Sequence, residues 1–105
     1  MAIRRLPPLR ALEAFVRTVR LGSARAAADE LGLSPSALSR RIGNLETFVG
    51  KKLFTRARQS MQLTDEGQAF YEAVNPHLES LARAVESQSE NLSLLRLHLG
   101  RSEEH

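Results

Sequence analysis

Residues 26–42 read AAADELGLSPSALSRRI, and this stretch decides the fold. Ala27, Ala28 and Leu31 recur at helical spacing and form a flat apolar face that a second helix can approach closely. A glycine ends that helix, and Ser34 followed by a proline favours the start of the next one. The spacing therefore predicts two short helices joined by a tight turn, which is the geometry of a helix-turn-helix.

The neighbouring residues extend this pattern into a three-helix unit. Pro7 and Pro8 favour a helix start, and Ser23 can cap the second helix. Glycines at positions 22, 32 and 50 supply the stops. Apolar residues at helical spacing indicate the buried faces: Leu9, Leu12, Phe15, Val16 and Val19 in the first helix, and Leu38, Ile42, Leu45 and Val49 in the third.

After the third helix the period of the pattern changes. Residues 53–56 (LFTR) and 61–64 (MQLT) predict two short strands, with a turn at residues 57–60. Thr64 can then cap a long helix whose first turn carries two acids, where negative charge suits the helix dipole. The predicted fold class is mainly α: a winged helix-turn-helix with a two-stranded β-hairpin wing, followed by a long dimerisation helix.

The long helix carries apolar residues on a rhythm of three and four. This rhythm, interrupted only at Gln88, is typical of a helix packed against another helix, so it predicts a dimer seam. Pro76 removes one backbone hydrogen bond and predicts a kink. The predicted seam residues are Tyr71, Val74, Leu78, Leu81, Val85, Leu92 and Leu95.

These patterns divide the chain into three parts. Residues 1–64 are the predicted winged helix-turn-helix domain, and residues 65–95 are a linker and dimerisation helix. Within residues 96–105, Arg96 to Gly100 alternate as a strand does but have no partner strand. We expect this last part to begin an effector domain or to be an appended tail.

Length, composition and charge limit the classes of protein. A chain of 105 residues fits one compact core with an added helix. The chain has no cysteine, which excludes a disulfide framework and suits a reducing cytoplasm, and no apolar run of signal-peptide or membrane-spanning length. Residues 1–64 carry a net charge of +8 and residues 65–105 a net charge of −5, which predicts different partners for the two parts.

No pattern in the sequence favours an enzyme. His77, His98 and His105 lack the spacing of metal ligands, and no base accompanies a nucleophile in a familiar arrangement. A glycine-rich phosphate loop is missing as well. We therefore expect a binding protein with no cofactor or metal in this chain and no association with a membrane.

The second helix of a helix-turn-helix presents its first residues to base edges in the major groove of double-stranded DNA. On its outer face, Arg40 has a planar fork that can bind guanine at two acceptors, and Gly43 leaves room for an approaching backbone. Arginines at the hairpin tip, with Lys51 and Lys52, can reach phosphates; a plain solvated surface is the alternative. The predicted DNA-binding residues are Ser34, Pro35, Ser36, Ser39, Arg40, Asn44, Arg56 and Arg58.

In five stretches the sequence resembles the LysR-type transcriptional regulators, and the resemblance runs in order from about residue 7 to residue 100. Its opening, Leu6 to Leu9, is most similar to the branch of the family that contains the glycine-cleavage regulator. The five matching stretches are LRALEAF (9–15), AAADEL (26–31), SALSRRI (36–42) with Leu45 and Glu46, LFTR (53–56) and LTDEG (63–67).

The resemblance implies a winged helix-turn-helix, a linker helix that pairs antiparallel with its twin, and a following effector domain that binds a small-molecule inducer. It also implies a homodimer, or a tetramer for a full-length protein. Base reading maps onto Pro35, Ser36, Ser39 and Arg40, and the wing arginine maps onto Arg56. The family often has glutamine where Pro35 stands, so one base-reading side chain is replaced here by a helix-starting proline.

Together, the residues and the resemblance predict a sequence-specific DNA-binding module of a bacterial transcription regulator, working in the cytoplasm at the nucleoid. A two-fold dimer requires an inverted-repeat binding site. The alternative is a coiled-coil-type protein interaction module whose basic part does not read DNA. The two differ in salt dependence, because binding to DNA weakens steeply as salt rises.

Overall fold

In a computed structural model, the protein is described over residues 5–57 and 60–100, with backbone alone for residues 56, 57, 60 and 90–100. The order of elements confirms a mainly α, winged helix-turn-helix fold with a two-stranded hairpin. The elements are α1 (Leu9–Leu21), α2 (Ala24–Leu31), α3 (Pro35–Val49), β1 (Phe54–Ala57), β2 (Ser60–Leu63) and α4 (Asp65–Gly100).

The helix boundaries follow the local signals in the sequence. The hydroxyl of Ser23 accepts a hydrogen bond from the amide of Ala26 at 3.0 Å, so the predicted cap of α2 is confirmed. The predicted stops at positions 22, 32 and 50 are also confirmed. Gly32 has a φ of +69°, a left-handed conformation that glycine adopts without steric cost, and this residue makes the turn from α2 to α3.

One aromatic side chain joins three elements of the core. Phe15 of α1 is fully buried, and its ring centroid lies 5.5 Å from that of Phe54, 5.4 Å from that of Phe70 and 6.3 Å from that of Tyr71. Offset and edge-on aromatic pairs at such distances are favourable beyond the area they bury. Phe15 therefore ties the hairpin and the first turns of α4 to α1.

The buried face of α1 differs from the predicted one. Phe15 and Val16 are buried as expected, but Leu9 is 55% exposed, and small side chains complete the face instead. These are Ala11, Ala14 and Thr18, and α1 packs against both α2 and α3. Small residues let helix axes approach closely, so the apolar period indicated the helix but not the face that its neighbours cover.

The α2 and α3 faces agree with the sequence. Ala27 and Ala28 of α2 are buried, as are the first three residues of the predicted α3 stripe, whereas Leu31 and Val49 are half-buried. The three buried residues of that stripe are Leu38, Ile42 and Leu45.

The hairpin lies one residue closer to its turn than predicted. Phe54 pairs with Leu63 and Ala57 with Ser60, so the predicted strands at 53–56 and 61–64 are each shifted by one position. The physical reason is that Thr64 serves as a helix cap: its hydroxyl accepts from the amide of Gly67 at 2.9 Å. Arg58, with its neighbour at position 59, lies outside the described residues.

Helix α4 continues through Pro76, where the expected kink stays a prediction. The chain divides into two compact units, Met1–Ala73 and Val74–His105, each of which is described here by itself. The strand predicted from Arg96 to Gly100 is wrong, because α4 extends to Gly100 and so short an alternation also fits a continuing helix. The division into residues 1–64, 65–95 and 96–105 stays a prediction, and residues 101–105 lie outside the description.

Candidate nucleic-acid interface

The start of α3 is built by residues that sequence analysis assigned to DNA binding. Ser34 has extended backbone, and its hydroxyl accepts from the amide of Ala37 at 3.1 Å. Pro35 occupies the first helical turn, and the hydroxyl groups of Ser34 and Ser36 lie 3.3 Å apart. All three predicted residues are exposed, so the residues that start the helix also lie on the accessible surface of the protein.

The exposed face of α3 lies opposite its buried stripe. Ser36, Arg40 and Asn44 are exposed at intervals of four residues, which places them on one side of the helix. Ser39 is half-buried and already makes an interaction of its own. Arg40 makes no hydrogen bond or ion pair with any of the described residues, so its guanidinium group is available to a ligand.

Gly43 lies on this exposed face without an internal reason to be glycine. Among the described residues, and apart from its chain neighbours and the adjacent backbone of α3, no heavy atom lies within 4 Å of the position that a Cβ would take. Glycine within a helix costs about 1 kcal/mol relative to alanine. An alanine at position 43 would therefore stabilise α3 and would fit without a clash. The missing Cβ leaves open space on the outer side of the helix.

Beside this face runs an open groove of about 600 Å³ that gathers positive charge. Arg40 lies along one part of it, and Lys51 and Lys52 lie along another. Cations along one groove suit a polyanion whose phosphates repeat along a line. The groove is also lined by the acidic Glu46 and by Gly43, Asn44, Thr47 and Gly50.

The hairpin is fixed to α3 by a residue that sequence analysis did not single out. Glu46 of α3 accepts hydrogen bonds from the amides of Leu53 at 2.8 Å and Phe54 at 3.1 Å. The sequence contains one indication that Glu46 matters, which is the match of Leu45 and Glu46 to the family pattern. That match does not indicate which groups Glu46 contacts. Arg56 lies in β1, two residues after Phe54, and only its backbone is described.

The predicted dimer seam lies along α4. Tyr71 packs against Phe15 of its own chain, and its part in a seam stays a prediction. Val74 and Leu78 are half-buried, whereas Leu81 is 47% and Val85 57% exposed. The side chains of Leu92 and Leu95 lie outside the described residues.

The described residues contain neither a membrane-spanning helix nor a metal-binding cluster. No helix within residues 5–57 and 60–100 combines the length and the apolar character that crossing a membrane requires. In the same part of the chain, no three His, Cys, Asp or Glu side chains are grouped so that they could hold a metal ion.

Comparison with known sequences gives a consistent match. The model of the family described as "Bacterial regulatory helix-turn-helix protein, lysR family" matches residues 9–68. The chain is 47% identical over 91 residues to the HTH-type transcriptional regulator y4mQ of Sinorhizobium fredii, covering 86% of this chain and 30% of that protein. It is 41% identical over 82 residues to the glycine cleavage system transcriptional activator of Escherichia coli, covering 78% of this chain and 27% of that protein.

Comparison with solved structures agrees. The complex of the BenM DNA-binding domain with benA site 1 DNA has a TM-score of 0.68 and 34% identity, covering 78% of this chain and 95% of that chain. Full-length AphB, a virulence activator of Vibrio cholerae, has a TM-score of 0.71 and 30% identity, covering 75% of this chain and 27% of that chain. This chain thus spans less than a third of the length of the curated relatives described above.

Proposed function

The chain belongs to the lysR family of bacterial regulatory helix-turn-helix proteins, and on this premise we propose that it reads a specific, inverted-repeat DNA site as a homodimer. Its function as a DNA-binding part of a transcription regulator follows from the family and from the DNA complexes among its structural neighbours. Sequence specificity, the symmetry of the site and the dimer are what the proposal adds. The relatives are transcription regulators, so binding rather than catalysis is the activity proposed.

The observation that carries the proposal is the outer face of α3. Arg40 is exposed and without a partner among the described residues, and Gly43 beside it leaves open space. Arginine binds guanine at two acceptors of the major-groove edge, while a missing side chain permits close approach of the duplex. A protein interaction module without DNA reading, the alternative considered above, gives no reason for this pairing and is not favoured.

The cations beside that face support a second part of the contact. Lys51 and Lys52 line the same groove as Arg40 and can neutralise phosphates on either side of the bases that α3 reads. We assign Arg56 and Arg58 of the hairpin to phosphate or minor-groove contact. Contacts of this kind set the register and the salt dependence of binding, whereas base contacts set its specificity.

The dimer is proposed from the stripe on α4. Leu81 and Val85 are exposed and, with Leu78, follow the rhythm of a helix that pairs with another helix. A two-fold pair presents two copies of α3 in inverted orientation, so its DNA site is an inverted repeat.

The remaining parts of the proposal concern the longer protein. Since this chain spans less than a third of its curated relatives, we assign inducer binding and any tetramer to a part beyond it. DNA binding by this chain needs no cofactor in the proposed mechanism. A regulator of bacterial transcription works at the nucleoid, so the proposed location is the cytoplasm.

Selection of bound duplexes from a random DNA library, using the full 105-residue chain, tests the proposal. We expect enrichment of an inverted repeat and an affinity that falls steeply with salt. Enrichment of a single half-site would overturn the dimeric reading, and the absence of any enriched sequence would overturn specific DNA reading.

A further inference from the structure

Glu46 connects α3 to the root of the hairpin, residues 52–54. Its carboxylate oxygen Oε2 accepts from two successive backbone amides, those of Leu53 and Phe54, at 2.8 and 3.1 Å. Its side chain is only 12% exposed, which is low for a carboxylate. The carboxylate is therefore held in one place by donors of the hairpin segment.

The two amides lie where the chain has just left α3 and enters β1. Leu53 and Phe54 are both buried, so their N–H groups have little access to water. Buried donors without an acceptor are costly, and a charged acceptor makes a stronger hydrogen bond than a neutral one. Glu46 thus satisfies two donors that would otherwise loosen the root of the hairpin.

The other side of this root is tied to α4. The amide of Thr64 donates to the carbonyl group of Leu53 at 3.0 Å, and the hydroxyl of Thr64 donates to the carbonyl group of Lys52 at 2.6 Å. Residues 52–54 are therefore held on one side by Thr64, the cap of α4, and on the other side by Glu46 of α3.

The second carboxylate oxygen faces the groove described above. Oε1 of Glu46 lies 3.9 Å from Nζ of Lys52, a side chain that is 83% exposed. An exposed pair at this distance contributes little to stability, but it places Glu46 beside Lys52, and both residues line the groove that Arg40 also lines. Both oxygens of Glu46 thus act on groups that surround α3.

We propose that Glu46 is a positioning residue for DNA reading, which sets the placement of the hairpin relative to the exposed face of α3. Through it, the wing arginine at position 56 meets the DNA backbone in register with the base contact of Arg40. This inference rests on the proposed function, and it adds a residue that touches no DNA itself. Glu46 acts through Leu53 and Phe54, two residues before Arg56.

A double-mutant cycle on DNA affinity tests this role. Arg56→Ala and Arg40→Ala are each made in the original chain and in a Glu46→Ala background, and the dissociation constant for the selected DNA site is measured by fluorescence anisotropy. We expect Arg56→Ala to weaken binding several-fold in the original chain and by less than about twofold in the Glu46→Ala background, because residues linked through a shared shift of the backbone do not act independently. The loss caused by Arg40→Ala should be similar in both backgrounds.

Conservative variants separate positioning from folding. Glu46→Gln keeps an oxygen that can accept from both amides, so we expect its affinity to stay within about threefold of the original, with the Arg56 effect retained. Glu46→Asp keeps the charge but is one methylene too short, and it should behave like Glu46→Ala. Circular dichroism establishes which variants are folded; if Glu46→Ala is not, the same cycle is run with Glu46→Asp.

The outcomes distinguish this inference from the function on which it rests. If the chain binds no DNA, both the proposed function and the positioning role of Glu46 are overturned. A chain that binds DNA with additive losses for Glu46 and Arg56, or with no loss for Arg56→Ala, keeps the proposed function and overturns the positioning role. A flatter dependence of affinity on salt in Glu46→Ala, with Glu46→Gln unchanged, supports a lost phosphate contact.

Discussion

Gly67, in the first turn of α4, lies directly against the backbone carbonyl group of Leu53. A Cβ atom at position 67 would overlap that oxygen and would come within 2.9 Å of Cδ2 of Leu63. A backbone carbonyl cannot swing aside as a long side chain can, so only glycine lets α4 begin this close to the hairpin. The LTDEG stretch therefore combines a strand residue, a helix cap and this close approach.

The first prediction is that Gly67→Ala destabilises the fold. Overpacking a tight contact costs about 1–3 kcal/mol, and here two of the three nearest atoms in the way belong to the backbone. The free energy of unfolding is measured by urea denaturation followed by circular dichroism. A variant as stable as the original chain would show that α4 does not approach Leu53 so closely.

Gly43→Ala is the matched control and a second prediction. Since no other described part of the chain lies within 4 Å of its Cβ position, alanine should raise the free energy of unfolding by about 1 kcal/mol, the difference in helix propensity. The same variant should bind its DNA site more weakly, by about fivefold or more, which is roughly 1 kcal/mol. The reason is that the added methyl group projects from the face that we propose to meet the duplex.

The free energy of unfolding and the DNA affinity of Gly43→Ala are informative together, because we expect the first to rise and the second to fall. Higher stability with unchanged or tighter DNA binding would mean that no part of the duplex approaches Gly43 closely. Lower stability would mean that the space around this residue is smaller than the structure shows.

The sequence predicted the local features of this fold well. Ser23, Ser34 and Thr64 were predicted as caps, and each accepts a hydrogen bond from an amide near the start of its helix. A cap depends on a side chain and a backbone amide within a few residues of each other, so neighbouring residues in the sequence are enough to predict it. The outer face of α3 could be predicted for the same reason.

Features that depend on distant partners were not predictable in the same way. Leu9 fits the helical period of α1 yet is exposed, because the packing of α2 and α3 onto α1 selects the face that carries Ala11 and Ala14. The amides that Glu46 binds lie seven and eight residues away, across a change from helix to strand. Periodicity gives the type of an element, whereas the neighbour that covers it depends on the whole fold.

The third prediction concerns specificity. Arg40→Ala should weaken binding to the selected site by about 1–3 kcal/mol and bring it closer to binding of scrambled DNA, because a bidentate base contact is lost. Arg40 is exposed, so the stability of the fold should be unchanged. Affinities for both duplexes are measured at one salt concentration, with Arg83→Ala, an exposed arginine of α4, as the control. Equal losses on selected and scrambled DNA would mean that Arg40 contacts phosphate and does not read a base.

The fourth prediction tests the dimer. Leu81→Glu places a charge in the proposed seam, and a charge that has to be buried without a partner opposes association. Ser87→Glu, on the exposed opposite side of α4, adds the same charge outside the stripe and should leave the dimer intact. Sedimentation velocity over a range of protein concentrations separates monomer from dimer.

Because a monomer engages only one half-site, Leu81→Glu should also lose the gain in affinity that joined half-sites provide, while still binding a single half-site as well as the original chain does. A Leu81→Glu chain that sediments as a dimer would place the seam elsewhere, and weakened half-site binding would mean that the substitution disturbs the recognition unit itself.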